Sequence, residues 1–393
     1  MRRLYLFALC LVIYEFTTYS ANDMIMPGML KVIADFHASI NYVAFSLSFY
    51  ILGNCCFILP GGFLAERFGK RKVMIMGNLL FLIFTVLIIF SHSIAQFMTW
   101  RFLQGGGLAI IAIGYALIHE NFNDQDAIKL TALMSNVGIL APLIGPSLGS
   151  AIVSHSPWYY VFVVSTVLGT ITLIGLYLFT PSKNKPLVPV KLNHAIKQYW
   201  YIIKNYSFLL GVISTVFGVL PLLLWITQAP NLILSHLHQD YLHFAVYQFI
   251  SFAGLATSSL LMQFIAGKFR IYSLVKTGSI IFLIGIIICL IGTHNLWVLT
   301  SGFLIYGLGL GLVYGCVMRL ILSMKNFSQA MLAAMFGFVQ TLLMALSIIL
   351  TNYLYSHFDF SMPSFTISIF GFGVIAFLLI NKYIHDYRER AWE

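Results

Sequence analysis

Residues 14–29 read YEFTTYSANDMIMPGM. The segment continues an apolar run and then sets two carboxylates, Glu15 and Asp23, at membrane depth. An ionised carboxylate in lipid costs about 2.5–3.5 kcal/mol on insertion scales, so a helix that carries two has a use for them. Glu15, Tyr19 and Asp23 fall at i, i+4 and i+8. In a helix that spacing makes one stripe about 12 Å long, each step rotating roughly 40°. Asn22 lies beside the stripe, and Pro27 and Gly28 loosen the helix at its far end. The stripe therefore faces protein or a water-filled cavity, not lipid.

Outward from this segment the chain repeats the same apolar theme. It is 60% hydrophobic and 9% charged, against about 25% charged in a soluble domain. An all-α integral membrane fold follows. Twelve apolar runs are long enough to span a bilayer: 4–33, 42–65, 73–91, 94–119, 128–154, 157–180, 206–235, 241–266, 272–292, 295–323, 329–356 and 362–384. No ten-residue segments alternate with period two, which argues against a β-barrel. The polar stretch 181–205 separates six runs, 1–180, from six more and a short tail, 206–393. Within it Leu192, Ile196, Tyr199, Trp200 and Ile203 recur at helical spacing among lysines, which predicts an amphipathic helix on the inner membrane surface. The loop at Gly267, GKFRIYS, faintly echoes the loop after the second run.

The net charge is +10. With the N-terminus inside, all but three of the 22 Lys and Arg fall on the inner side; the exceptions are Lys31, Arg101 and Arg319. That asymmetry is topology rather than a nucleic-acid footprint, and it predicts cytoplasmic termini. The five cysteines all lie inside apolar runs without metal-ligand spacing. The start, MRRLYLFALCLVIYEF, has a basic end like a signal peptide, but Glu15 interrupts it and no cleavage-type site follows. It reads as a retained first helix.

Three further motifs stand out. Residues 61–72, GGFLAERFGKRK, place Gly62, Glu66, Arg67, Gly69 and Arg71 in a G-x-x-x-[D/E]-R-x-G-x-[R/K] pattern. A glycine turn with an acid and bases beside it can grip neighbouring helix ends in one conformation and release them in another. In the fourth run Arg101 is fixed in charge, and Gln104 shares its face at i+3, beside Gly105, Gly106 and Gly107. In the fifth, Gly138, Pro142, Gly145 and Gly149 form one small-residue face, with Pro146 as a second break. The second half has no acid within its runs. Gln228, Gln248 and Gln340, with Phe217, Trp225, Phe249 and Phe252, give it the character of an apolar wall.

At these motifs the chain resembles the major facilitator superfamily, and within it the twelve-span drug/proton antiporters of the MdfA type. YEFTTYSANDMIMPGM resembles their first-helix signature. GFLAERFGKR is similar to the superfamily loop motif, with Glu66 for the usual Asp and Lys70 for the usual Arg. WRFLQGGG and GILAPLIGPSLG resemble the fourth- and fifth-helix motifs. The resemblance implies two six-helix bundles in a bacterial inner membrane, working by alternating access. It implies proton coupling at Asp23 and Glu15 with support from Arg101. Tyr19, Asn22, Asp23, Gln104, Met134 and Gly138 would line a substrate site, with Gln248 and Phe252 contributed by the other half.

The expectation is exchange of cytoplasmic lipophilic cations and neutral drugs for external protons, with no cofactor beyond the proton and no metal. Lipophilic small molecules and membrane lipids are the expected partners, and the working form is a monomer. A dedicated exporter of one endogenous compound, such as a siderophore, would use the same parts. An enzyme is disfavoured: the histidines sit at run ends or in loops without catalytic context, and His236, His238 and His243 read as a solvated outer loop.

Overall fold

A computed structural model describes residues 2–181, 192–265, 268–324, 327, 329–357 and 361–390. Residues 182–191 of the polar stretch 181–205, the loop glycine Gly267 and the last three residues of the tail lie outside the described residues. Among those described the structure is helical, with no strand.

The first span breaks where Pro27 removes a backbone donor. Helix α1 (Arg2–Asp23) gives way to a 3-10 turn (Met26–Gly28) and then to α2 (Met29–Asp35). Next come α3 (Tyr42–Phe68) and α4 (Lys70–Ile89), and then α5 (Ile94–Ala109) and α6 (Ile111–Asn121), which share one span interrupted at Ile110. Helices α7 (Asp124–His155), α8 (Tyr160–Phe179) and α9 (Leu192–Lys204) follow. Helix α10 (Tyr206–Ala229) ends in a π turn (Pro230–His236). Then come α11 (Tyr241–Ile265), α12 (Ile271–Ile291) with a 3-10 turn (Gly292–His294), α13 (Leu296–Leu322), α14 (Gln329–His357) and α15 (Met362–Arg390). Eleven of these segments are long and apolar enough to cross a membrane, and α7 makes a twelfth if its bent halves count as one.

The bend in α7 has a local cause. Its halves, Gln125–Gly138 and Leu140–His155, meet at 43°. Pro142 lacks the N–H that would bond to the Gly138 carbonyl, and its ring crowds that carbonyl. The kink therefore lies four residues before the proline. Side-chain caps start several helices: Ser93 for α5, Asn123 for α7, Asn205 for α10 and Asn295 for α13.

The chain forms two compact units, Met1–Ala195 and Ile196–Glu393. Within the first, α1 packs on α7 and α8, α3 on α5, and α4 on α5 and α8. Within the second, α10 packs on α14 and α15, α11 on α13, and α12 on α13 and α15. Counted by span, the two patterns are the same. The closest backbone approaches repeat as well. A Cβ on Gly53 would stand 1.7 Å from the Phe102 carbonyl oxygen, and one on Gly254 would stand 1.8 Å from that of Leu304. Only glycine permits such contact.

The motif at residues 61–72 is helix rather than an extended loop. Only Gly69 separates α3 from α4, at φ +93°, a conformation that L side chains rarely adopt. The bases beyond it do reach neighbouring helix ends: Lys70 pairs with Glu120 near the end of α6, and Arg71 donates to the Tyr177 carbonyl of α8 at 2.8 Å. Arg3 donates to the adjacent Leu178 carbonyl at 2.7 Å. Cations at the C-terminal ends of helices are favourable partners for the dipole. Glu66 and Gly62 are exposed, and Arg67 lies over the ring of its own neighbour Phe68. Among the described residues it is Lys70 and Arg71 that reach these helix ends.

Candidate functional site

In the first unit, α1 presents its polar residues to α3, α5, α6 and α7. Arg101 has no exposed surface. A guanidinium held there needs acceptors for its fork. It finds three, on three helices: Ser46 Oγ accepts from Nε at 3.2 Å, Gln104 Oε1 from Nη1 at 2.7 Å and Asn22 Oδ1 from Nη2 at 2.6 Å. The Tyr50 ring lies under the guanidinium at 4.7 Å. Gln104 is fixed in turn, its Nε2 donating to Thr85 Oγ1 at 2.8 Å, and Thr85 donates to the Phe81 carbonyl at 2.6 Å.

Asp23 is 5% exposed and accepts at Oδ1 from Asn22 Nδ2 at 3.1 Å. Asn22 stands between Arg101 and Asp23: among the described residues no ion pair joins the two within 4.0 Å. The reason is geometric. Asn22 and Asp23 are consecutive on α1 and point about 100° apart, and the asparagine amide meets both partners, its oxygen towards Arg101 and its nitrogen towards Asp23.

Glu15 occupies a different environment. It is 2% exposed, and Oε1 accepts from Tyr115 of α6 at 3.2 Å. Among the described residues its Oε2 has no hydrogen-bond partner. Tyr19, between the acids on the stripe, packs with Met134 and Tyr115 in one apolar cluster.

The small-residue face of α7 lies against this same stretch of α1. A Cβ on Gly149 would stand 2.0 Å from the Met24 carbonyl oxygen, and one on Gly145 would stand 2.9 Å from the Cβ of Asp23. Gly138 is looser, its nearest neighbour the Tyr19 ring at 3.6 Å. Pro146 is buried and Pro142 half-buried on the same helix. The fourth- and fifth-helix motifs thus both reach residues 22–24. The hydroxyls of Tyr14 and Tyr50 hold α1 in place, donating to the Gly107 and Thr18 carbonyls, each at 2.7 Å.

Ser46, Tyr50, Thr85 and Tyr115 complete the arrangement and were not singled out from the sequence. Their only signal was a hydroxyl inside an apolar run, and many hydroxyls in helices merely bond back to their own turn. Gln248 and Phe252 belong to the second unit, on α11, both buried. Phe249, on the same helix, is 50% exposed. Among the described residues no cluster of three metal-ligating side chains occurs.

The sequence profile of the Major Facilitator Superfamily matches residues 11–351. A Yersinia pestis protein named Multidrug transporter MdfA is 37% identical over 361 residues, covering 90% of this chain and 88% of its own. Its namesake in Escherichia coli O6:H1 is 35% identical over 353 residues, covering 88% and 86%. Among solved structures, a D-xylose-proton symporter superposes with a TM-score of 0.76 at 17% identity, over 96% of this chain and 98% of that one. A partially occluded inward-open form of the xylose transporter XylE from E. coli gives 0.75 at 16% identity, over 97% and 98%. At that identity the two structures speak for the fold alone. By the extent of the profile match and the identity of these relatives, the chain belongs to the Major Facilitator Superfamily.

Proposed function

We propose that the protein is a proton-coupled exporter of lipophilic cationic and neutral compounds in a bacterial inner membrane, with cytoplasmic termini. The curated relatives are named multidrug transporters. The observation that carries the coupling role is the placement of Asp23. Its carboxyl is buried, linked to a permanent cation through one amide and backed by Gly145 on α7. An ionised carboxylate out of water is costly unless a charge compensates it. At Asp23 the compensation is indirect, so protonation changes the local balance without breaking an ion pair. A bound cation would compete with the proton for the same carboxyl. Glu15, with one open oxygen, is the second acid of the same device. Tyr19, Met134 and Gly138 supply apolar contact beside it. Broad apolar contact with few oriented hydrogen bonds favours promiscuity.

The test is drug-driven proton movement in everted vesicles carrying an interior-acid gradient. Several unrelated lipophilic compounds should discharge the gradient with the wild type, and none with Asp23→Asn. That variant preserves shape and the Asn22–Arg101 hydrogen bond. Discharge that survives in Asp23→Asn would remove Asp23 from the coupling role. Silence of the wild type towards every drug, together with response to a secreted metabolite, would turn the reading to a dedicated exporter.

A further inference from the structure

Two arginines meet at one helix end of the first unit. Helix α8 ends at Phe179, and Tyr177 and Leu178 lie in its last turn, whose carbonyls need donors from outside the helix. The Tyr177 carbonyl would look four residues on, to Pro181, which has no N–H. Arg71 Nη2 donates to that carbonyl at 2.8 Å, and Arg3 Nη2 donates to the Leu178 carbonyl at 2.7 Å. One guanidinium carries five N–H donors in a fork and can serve two adjacent acceptors. Capping α8 therefore accounts for one arginine. The second brings a like charge beside the first. Each also stands in the first turn of its own helix, α1 or α4, the end where the macrodipole opposes a cation.

The protein supplies no counter-charge. Among the described residues neither arginine makes an ion pair. Glu120 pairs with Lys70, and Asp126 accepts from Tyr5 and Asn123. Arg3 and the neighbouring Lys72 are exposed, and Arg71 is half-buried. Each guanidinium keeps N–H donors beyond the one its carbonyl takes. Away from this end, Val167, Ile171, Ile174 and Leu178 share one face of α8, exposed by 54%, 54%, 56% and 49%. An exposed apolar face of that kind on a membrane-spanning helix is a lipid contact. It runs about 16 Å, close to the hydrocarbon depth of one leaflet.

We infer that Arg3 and Arg71 together hold the phosphodiester of an anionic phospholipid, whose acyl chain lies along the exposed face of α8. Guanidiniums pair with phosphate oxygens through parallel N–H···O bonds. A phospholipid brings that anion to the end of α8 with a chain matched to the apolar face above it. Two guanidiniums with Lys72 beside them repel an ammonium headgroup, so the site selects phosphatidylglycerol over phosphatidylcholine. Twelve residues of α1, about 18 Å of helix, separate Arg3 from Glu15. The lipid would join the starts of α1 and α4 to the end of α8 without touching the buried acids.

The experiment uses the full-length protein in detergent and native mass spectrometry with dioleoyl-phosphatidylglycerol and dioleoyl-phosphatidylcholine, which share their acyl chains. The wild type should bind the first phosphatidylglycerol about tenfold more tightly than the first phosphatidylcholine. Arg3→Gln/Arg71→Gln keeps an N–H donor for each carbonyl and removes both charges, and should bring the two lipids to within about twofold. Lys268→Gln, at an exposed base of the second unit, should keep the wild-type preference. Equal affinities in the wild type overturn the inference. So does an equal loss in Lys268→Gln, which marks general surface charge, and so does displacement of phosphatidylglycerol by an equal concentration of water-soluble glycerophosphoglycerol, which marks a site for free anions. If the double variant does not fold, Arg3→Gln and Arg71→Gln decide singly: each should lose at least about threefold of the preference, and a folded single variant that keeps all of it overturns the inference.

Discussion

Arg101 shows how one side chain binds a unit together. Its three acceptors come from α1, α3 and α5. Truncation leaves Ser46, Gln104 and Asn22 buried without it. Arg101→Met should therefore destabilise the protein by about 3 kcal/mol or more, read as a lower melting temperature in detergent. Arg101→Lys keeps the charge but loses the planar fork, and should fall between wild type and Met. A lysine variant as unstable as the methionine one would mean that the fork, not the charge, holds the helices. A second residue-scale effect lies outside the spans. Asp240 caps α11, accepting at Oδ1 from the His243 backbone at 2.8 Å. That backbone bond, followed by the side-chain bond from His243, lowers its pKa. A depressed carboxylate contributes stability above its unfolded pKa of about 4 and loses it as pH falls through the lower folded value. Protection of the His243 amide, taken relative to its intrinsic exchange rate at each pH, should therefore hold at pH 5 and fall only below about pH 4. Protection already lost at pH 5 would mean that the cap does not form.

At the scale of elements, the contact of α7 with α1 determines where Asp23 points. The glycines of α7 rank themselves by the room each leaves. Gly149→Ala drives a Cβ to 2.0 Å from a backbone oxygen that has nowhere to go, whereas Gly138→Ala meets a ring at 3.6 Å. Gly149→Ala should cost about 1–3 kcal/mol of overpacking strain and lower transport. Gly145→Ala, at 2.9 Å from the Asp23 Cβ, should change the pH profile of transport more than the melting temperature. Gly138→Ala should be close to wild type in stability. Melting curves and pH–rate profiles of the three variants check the order, and a Gly149→Ala protein as stable as Gly138→Ala would refute the packing argument.

For the whole molecule, the two units share one helix-packing pattern but not one chemistry. The match that pairs Gly53 with Gly254 also pairs Phe102 with Leu304, and so Arg101 with Phe303 and Gln104 with Tyr306. Where the first unit has a hydrogen-bonded cation, the second has rings: Phe303 lies 5.2 Å from Trp225, and Tyr306 lies 4.8 Å from Phe282. The same frame thus supports a polar half and an aromatic half. The basic residues predict orientation at this scale. In a background without the native cysteines, Lys72→Cys and Lys268→Cys should react with an impermeant maleimide only from the cytoplasmic side, and His92→Cys only from the other. Labelling of all three from one side would overturn the topology.

The sequence by itself determined what the solvent is and how the chain divides its length. Apolar runs of membrane-spanning length, Pro27 and Gly69 at breaks, and acids inside a first helix are local facts, set by backbone chemistry and the cost of burying charge. They located Glu15, Asp23, Arg101 and the glycine face of α7 without locating their partners. Only the tertiary structure decided that Asn22 stands between Asp23 and Arg101, that Gly145 and Gly149 rest on residues 23 and 24, and that Lys70 pairs with Glu120 near the end of α6. Each of these depends on which helices lie side by side and in what rotation. Helical spacing fixes which residues share a face, but the neighbour of that face is set by packing between segments far apart in the chain.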